Sequence, residues 1–393
     1  MAGNMELTET ILNTSKESQV TTSEAESAAQ RYRCAIDTLS PTEWNAALAT
    51  FADASIHSTR EFGVLRWGPE KLSQIVLYDN DEIVAMAQVI IVAMPALGTG
   101  IAHCKFGPVW RRMGRAENID VYREILLAMR AEYVDRQGLL LRIKPWELDD
   151  TDNQLGDARE SAGLQAQPDM PRYHTFVLDM SRSIDELRAG FNQKWRYNLK
   201  KAEKHPLEIV QATGPEQADV YMQLYAEMRD LKSYVDTSEV DMLPGLSDTL
   251  TAAIKPTIFV AYSEGVPAAS IVISMVGNTA YYLFGATGNA GRNGGASYVL
   301  FWQAMIWLKE QDCRWFDLVG SQPHGTGGDV GYRRFKSGMT GKNGAEYHMQ
   351  DWELSGSWKS YLVVHGGSYL RDKLRAVRHG LNGFKERLKK TAT

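Results

Sequence analysis

Residues 331–338, Gly-Tyr-Arg-Arg-Phe-Lys-Ser-Gly, set three cations, Arg333, Arg334 and Lys336, beside two rings, Tyr332 and Phe335. A stacking surface next to fixed positive charge is how proteins hold an unstacked nucleotide. A surface hairpin with scattered charges has the same composition. The octet follows an apolar strand pattern that includes Asp317 and ends at Gly320. Between them lies a Gly-rich loop containing His324, where backbone can approach a ligand closely.

A second constellation lies at 191–204. On a helix, Lys194, Asn198, Lys201 and Lys204 share one flank, and Arg196 and Lys200 form a second row. Glu203 is the one acidic residue in the segment. A row of cations without partners suits a polyanion such as a phosphate, a pyrophosphate or an RNA backbone, whereas a solvated amphipathic helix is the plain alternative. No arrangement for covalent catalysis emerges. The eight histidines are scattered, no metal-ligand spacing is present, and Asp317 serves equally well as a structural hydrogen-bond acceptor.

Whole-chain properties exclude several classes. With 393 residues and a net charge of −5, the protein does not have the basic excess of one that coats DNA. Cys34, Cys104 and Cys313 lie far apart, which argues against a disulfide framework or zinc knuckle. The longest apolar run, 83–97, is too short for a bilayer span. Residues 1–30 hold no aromatic side chain and are rich in Ser, Thr and Glu, so they read as a disordered tail rather than a secretory signal. A regulatory or docking role for that tail is the alternative. A cytoplasmic protein is expected.

The elements that must position these residues follow from periodicity. A helix is expected over 42–51, capped by Ser40 or Thr42. Strands follow at 74–78, 82–94 and 101–106, then a helix over 119–136 and a strand at 139–143. The same order returns as strands at 257–262, 266–275 and 279–284, a helix over 297–311 and a strand at 314–319. Two copies of one domain is the economical reading. The expected fold class is α+β, with two tandem N-acetyltransferase-like (GNAT-like) domains, each a mixed β-sheet flanked by helices. The expected division is a tail at 1–30, a first domain at 31–160, a second at 161–345, and a C-terminal strand and helix at 346–393. In that last segment an apolar stripe runs from Leu370 to Leu388, flanked by eight cations and two acids. It is expected to pack back on the first domain, with contact to anionic lipid at the inner membrane as the alternative.

The motifs KWRYNLKKAEK, FDLVG with FKSG, and LGTGIAHCKFGPVW ending at Trp110 together resemble the Fem family, the aminoacyltransferases that build peptidoglycan interpeptide bridges. The resemblance runs from about Leu65 to Gly341 and implies two acetyltransferase-like domains. It also implies an acyltransferase that moves an amino acid from aminoacyl-tRNA to an amine of a UDP- or lipid-linked muropeptide, or of a related envelope precursor. Phe335 and Lys336 match the family's Phe-Lys pair. Phe335 would then stack on the terminal adenine of the donor, and Lys336 would stabilise negative charge at the reacting ester. Arg333, Arg334, Lys194 and Arg196 would complete the donor side. Arg229, Tyr282 and Lys71 would serve the acceptor. The helical arm that some relatives insert in the second domain is absent. No cofactor or metal is implied, and aminoacyl-tRNA would be the co-substrate. Peripheral attachment at the inner face of the membrane would suit a lipid-linked acceptor. Two other readings remain: a CoA-dependent N-acyltransferase acting on an envelope sugar or amine, using the loop 291–297, and a non-catalytic protein that binds a nucleotide-linked glycan or RNA.

Overall fold

A computed structural model describes residues 31–148, 152–232, 239–291, 294–320 and 328–367. The expected tail at 1–30, His324 in the Gly-rich loop, and the basic stripe at 370–390 lie outside the described residues.

The first half contributes β1 (Tyr32–Ile36), β2 (Leu72–Asp79), β3 (Glu82–Met94), β4 (Thr99–Lys105), β5 (Leu140–Lys144) and β6 (Gln165–Ala166). The second contributes β7 (Tyr173–Asp179), β8 (Leu207–Ala212), β9 (Thr257–Ser263), β10 (Val266–Val276), β11 (Thr279–Thr287), β12 (Trp315–Asp317), β13 (Gly344–Met349) and β14 (Trp352–Ser355). They form two seven-stranded sheets, in the orders β1-β2-β3-β4-β5-β14-β6 and β13-β7-β12-β11-β10-β9-β8. Within each sheet one pair is parallel, β4 with β5 and β11 with β12, and the remaining pairs are antiparallel. A parallel pair needs a long crossover. Helix Ile119–Met129, prolonged by a π-helical turn Arg130–Arg136, makes the first crossover, and helix Ala296–Glu310 makes the second. The architecture is α+β, and the expected doubled order of three strands, helix and strand is present.

Local signals account for several boundaries. Helix Pro41–Leu48 begins at Ser40, whose hydroxyl accepts from the Glu43 N–H while the Glu43 carboxylate accepts from the Ser40 N–H. Phe191 and Asn192 separate helix Ile184–Gly190 from helix Gln193–Ala202, and the Asn192 side chain accepts from the Trp195 N–H. Two domain limits differ from the expectation. Helix Gln154–Ser161 packs Leu155 and Ala158 into the first core, and β6 pairs with β14 of the first sheet. The limit set at 160 therefore falls before the end of the first sheet's material. The limit at 345 cuts through β13, which belongs to the second sheet.

One apolar cluster joins the two halves. Trp44, Phe51, Ile56 and Met86 from the first pack with Met242, Leu246, Ile254 and Val276 from the second. The turn between β10 and β11 closes the seam. Gly277 has φ +63°, and a Cβ there would lie 1.9 Å from the Phe51 carbonyl oxygen. The neighbouring Thr279 hydroxyl donates to the Ala52 carbonyl at 2.8 Å. Gly277 is thus required for both conformation and approach.

Candidate functional site

Side-chain alternation divides the second sheet into two faces. Phe259, Ile271, Ile273, Ala280 and Tyr282 face three helices, Gln193–Ala202, Ala296–Glu310 and Gly328–Thr340. Ile258, Val260 and Val272 face helix Pro215–Lys232. Tyr281 and Val177 pack with Phe106 and Trp146 of the first domain. The segment 331–338, for which a surface hairpin was one of two readings, is helical and lies within Gly328–Thr340.

This helix places its residues unequally. The Phe335 ring is half-buried against Trp195, Tyr298 and Phe301, with centroids at 5.8, 5.0 and 5.3 Å. Its truncation would therefore disturb the core as well as any stacked ligand. Arg334 is exposed. Arg333 is not a loose cation, because its guanidinium pairs with Glu346 and lies 5.3 Å over the Phe176 ring. Lys336 is only 1% exposed. Its amine donates to the Val319 carbonyl and, at 2.9 Å, to the Gly320 carbonyl. It sits 4.1 Å from the Tyr332 ring centroid and 5.5 Å from that of Tyr282.

The carbonyls that Lys336 holds belong to a strained turn at the end of β12. Val319 has φ +50°, a left-handed conformation that a β-branched side chain rarely adopts, and Gly320 also has φ +50°. Such strain, of order 1–3 kcal/mol, persists where surrounding contacts over-determine it, and it clusters at functional sites. Asp317 supplies one of those contacts. Its fully buried carboxylate accepts from the Val319 N–H at 2.7 Å, from the Trp146 indole N–H at 2.9 Å, and from the Thr175 hydroxyl. The Tyr173 hydroxyl accepts from the Gly320 N–H at 3.1 Å.

Electrostatics follow from this burial. Desolvation pushes the Lys336 amine down to about 7, with the Asp317 charge opposing it. Desolvation raises Asp317, against its hydrogen bonds from Thr175, Trp146 and Val319. Tyr332 leaves 44% of its surface exposed, yet its hydroxyl end is buried against Tyr282, and its pKa is pushed well above 10.0. On the first-domain side His57 is held well below its usual value by burial, then by Lys105. Its ring lies 4.5 Å from Phe62, 4.9 Å from Phe106 and 6.5 Å from Tyr281.

The remaining sequence candidates divide. Lys194, Lys200, Lys201 and Lys204 are exposed and make no ion pair among the described residues, because Glu203 pairs instead with Arg188 at 2.5 Å. Arg196 leaves that row, since its guanidinium donates to the carbonyls of Ala189, at 2.8 Å, and Phe191. Tyr282, expected with the acceptor residues, lies on the face that carries Phe335 and packs 4.8 Å from Phe301. Tyr281 points to the interdomain side. Arg229 is exposed near the end of helix Pro215–Lys232, and Lys71 is exposed in the turn Pro69–Lys71. The structure therefore gathers Lys336, Tyr282, Tyr332 and Phe335, and it leaves Arg229 and Lys71 outside that group.

Trp146, Tyr173 and the Val319 strain had no local signal in the sequence. A separate interdomain cleft of about 710 Å³ is lined by Arg111, Arg112, Arg115, Arg314 and Trp146, but not by Lys336. Its arginines are paired with Asp53, Glu117, Glu82 and Asp179, which lowers its claim as a phosphate site.

Comparison with known proteins agrees with this architecture. The family model described as Acetyltransferase (GNAT) domain matches residues 189–337. FemX shares the fold with a TM-score of 0.69 and 12% identity, over 84% of this chain and 98% of that one. A domain described as the C-terminal domain of a lysylphosphatidylglycerol synthetase, from Agrobacterium fabrum, aligns over 84% of this chain and 99% of that one. Its identity is 12% and its TM-score 0.50. A conserved protein of unknown function from Bacteroides thetaiotaomicron aligns over 82% and 99%, with 10% identity and a TM-score of 0.51. No curated protein matches the sequence. The resemblance carried by the sequence motifs therefore holds at the level of the fold, a GNAT-like architecture whose strand order is repeated in the two halves.

Proposed function

We propose that this protein is an aminoacyltransferase that moves an amino acid from aminoacyl-tRNA to an amine of a peptidoglycan or other cell-envelope precursor. The observation that carries the reading is the position of Lys336. It is a buried amine at the strained end of β12, where the helix-covered face of the second sheet meets the interdomain face. A donor held among Phe335, Tyr282 and Tyr332 and an acceptor entering from the interdomain side would meet there.

Ester aminolysis passes through an oxyanion, and a fixed cation at that point stabilises it. An ammonium group has three N–H donors. Two of those on Lys336 go to carbonyls, so among the described residues one is left for a reacting oxygen. The ester is already activated, and positioning supplies much of the remaining acceleration. The exposed Lys194, Lys200, Lys201 and Lys204 would meet the acceptor arm of the tRNA, with Arg334 beside them. Arg333 and Arg196 would act through the backbone and carboxylate they hold. Among the described residues no helix is long and apolar enough to cross a membrane. A cytoplasmic protein with peripheral contact at the inner face would reach a lipid-linked acceptor.

Binding of charged tRNA should weaken steeply between low and physiological salt. Replacing Lys194, Lys200 and Lys201 by Ala should flatten the log–log slope by about 2 to 3, as expected for three phosphate contacts. Filter binding over a salt series checks this, and affinity that is flat with salt removes the tRNA. The match of residues 189–337 to a GNAT domain favours a second reading, a CoA-dependent N-acyltransferase. Mass spectrometry of ligands retained on the purified protein separates the two, because retained CoA would support the second.

For the acceptor, Arg229→Lys should weaken binding of a UDP-linked precursor about tenfold, because a point charge replaces a bidentate donor. Arg229 is exposed without an ion pair among the described residues, so stability should change by no more than about 0.5 kcal/mol. A clear fall in melting temperature with unaltered binding would instead make Arg229 structural.

A further inference from the structure

We propose that His174, Glu346 and His348 form a binding site for one divalent transition-metal ion of the zinc class. No metal spacing is legible in the sequence, because the residues come from two strands far apart in the chain. Antiparallel pairing of β7 with β13 sets His348 directly opposite His174. Glu346, two residues before His348, projects from the same face of the sheet. The two imidazole centroids are 4.1 Å apart.

The distances favour a cation over a hydrogen-bonded cluster. His174 Nδ1 lies 3.8 Å, and His348 Nε2 3.9 Å, from the same carboxylate oxygen, Glu346 Oε1. Both separations are too long for hydrogen bonds. They lie a few tenths of an ångström above the spacing of two tetrahedral ligands held about 2.0–2.2 Å from a shared metal. All three ligand atoms fall within 4.8 Å of one another, so a small side-chain movement closes them on an ion. Both His174 Nδ1 and Glu346 Oε1 are buried without a hydrogen-bond partner among the described residues, as expected of atoms arranged for a ligand other than each other. The other carboxylate oxygen of Glu346 is held by Arg333, which orients Oε1 toward the imidazoles in the way outer partners orient metal ligands.

Two imidazoles and one carboxylate select zinc, copper or nickel over magnesium or calcium. His348 leaves 46% of its side chain exposed, so water has access to a fourth position. Arg333 and Arg172 place positive charge near His174 and oppose a bound cation. The bound ion would clasp edge strand β13 to β7. Through Glu346 and Arg333 it would steady helix Gly328–Thr340. Metal binding does not require the reaction proposed above, although Arg333 and helix Gly328–Thr340 link the two sites.

The test uses the untagged full-length chain, stripped with a chelator and titrated with Zn²⁺ by calorimetry and with Co²⁺ by visible absorption. One ion should bind per chain, with cobalt bands of a four-coordinate site and a rise in melting temperature on adding Zn²⁺. His348→Ala and His174→Ala should each weaken binding at least tenfold and abolish the melting-temperature rise. His348 is the safer variant for folding because it is the more exposed. No stoichiometric binding by the wild type overturns the site, as does unchanged affinity in either variant.

Discussion

Lys336→Met should lower turnover about a hundredfold or more, the scale seen when one oxyanion-hole donor is lost. The substitution keeps most of the aliphatic stem in its buried slot and removes the charge that acts in the transition state. Donor affinity should fall much less, because Phe335 and the exposed lysines remain. The buried amine also gives a signature in pH. If the ammonium form is the active one, the rate should decline as pH rises through about 7, the value to which burial lowers Lys336. Lys336→Arg should recover activity only in part and should lack that limb, since a guanidinium stays charged.

Stability should respond in the opposite sense. Between about 7 and the usual 10.5 the unfolded chain carries the Lys336 proton and the folded chain does not. Stability therefore rises with pH across that window, by up to about 1.4 kcal/mol per unit, and Lys336→Met removes this contribution. Transfer at the wild-type rate by Lys336→Met would displace Lys336 from the reaction and move the CoA or binding reading ahead.

Asp317→Ala should have the largest effect on stability, about 3 to 5 kcal/mol by urea denaturation. The carboxylate is fully buried and accepts from Trp146, Thr175 and the Val319 N–H, so its removal leaves two buried donors and a part-buried one without this acceptor. Each orphaned group costs about 1–3 kcal/mol before relaxation. Asp317→Asn should cost less, because one oxygen still accepts, although its amide nitrogen opposes a donor. Both changes remove a negative charge that holds Lys336 up, so any residual activity should show its descending limb at lower pH. A loss below about 1 kcal/mol for Asp317→Ala would mean that the network does not hold the turn.

Features that depend on local dihedrals and local spacing were readable along the chain. The repeated order of three strands, helix and strand was legible because alternation and the 3.6-residue period belong to each segment separately. Ser40 was legible as one of two candidate caps, and the lysines from 194 to 204 as an outward row, for the same reason. Packing then set which partners these residues meet. Alternation put Tyr281 and Tyr282 on opposite faces, but packing assigned Tyr282 to the helices and Tyr281 to the first domain.

Arg196 and Arg333 read as loose cations until folding supplied the Ala189 and Phe191 carbonyls to one and Glu346 to the other. The aromatic and basic octet became a helix that buries Lys336, and Trp146 crossed from the first domain to Asp317 of the second. His174 met His348 by strand register alone. Secondary structure is a property of neighbours in the chain. The charge state of a lysine or the company of a histidine depends on which distant groups take the place of water, and that is set only when strands and helices far apart in the chain pack together.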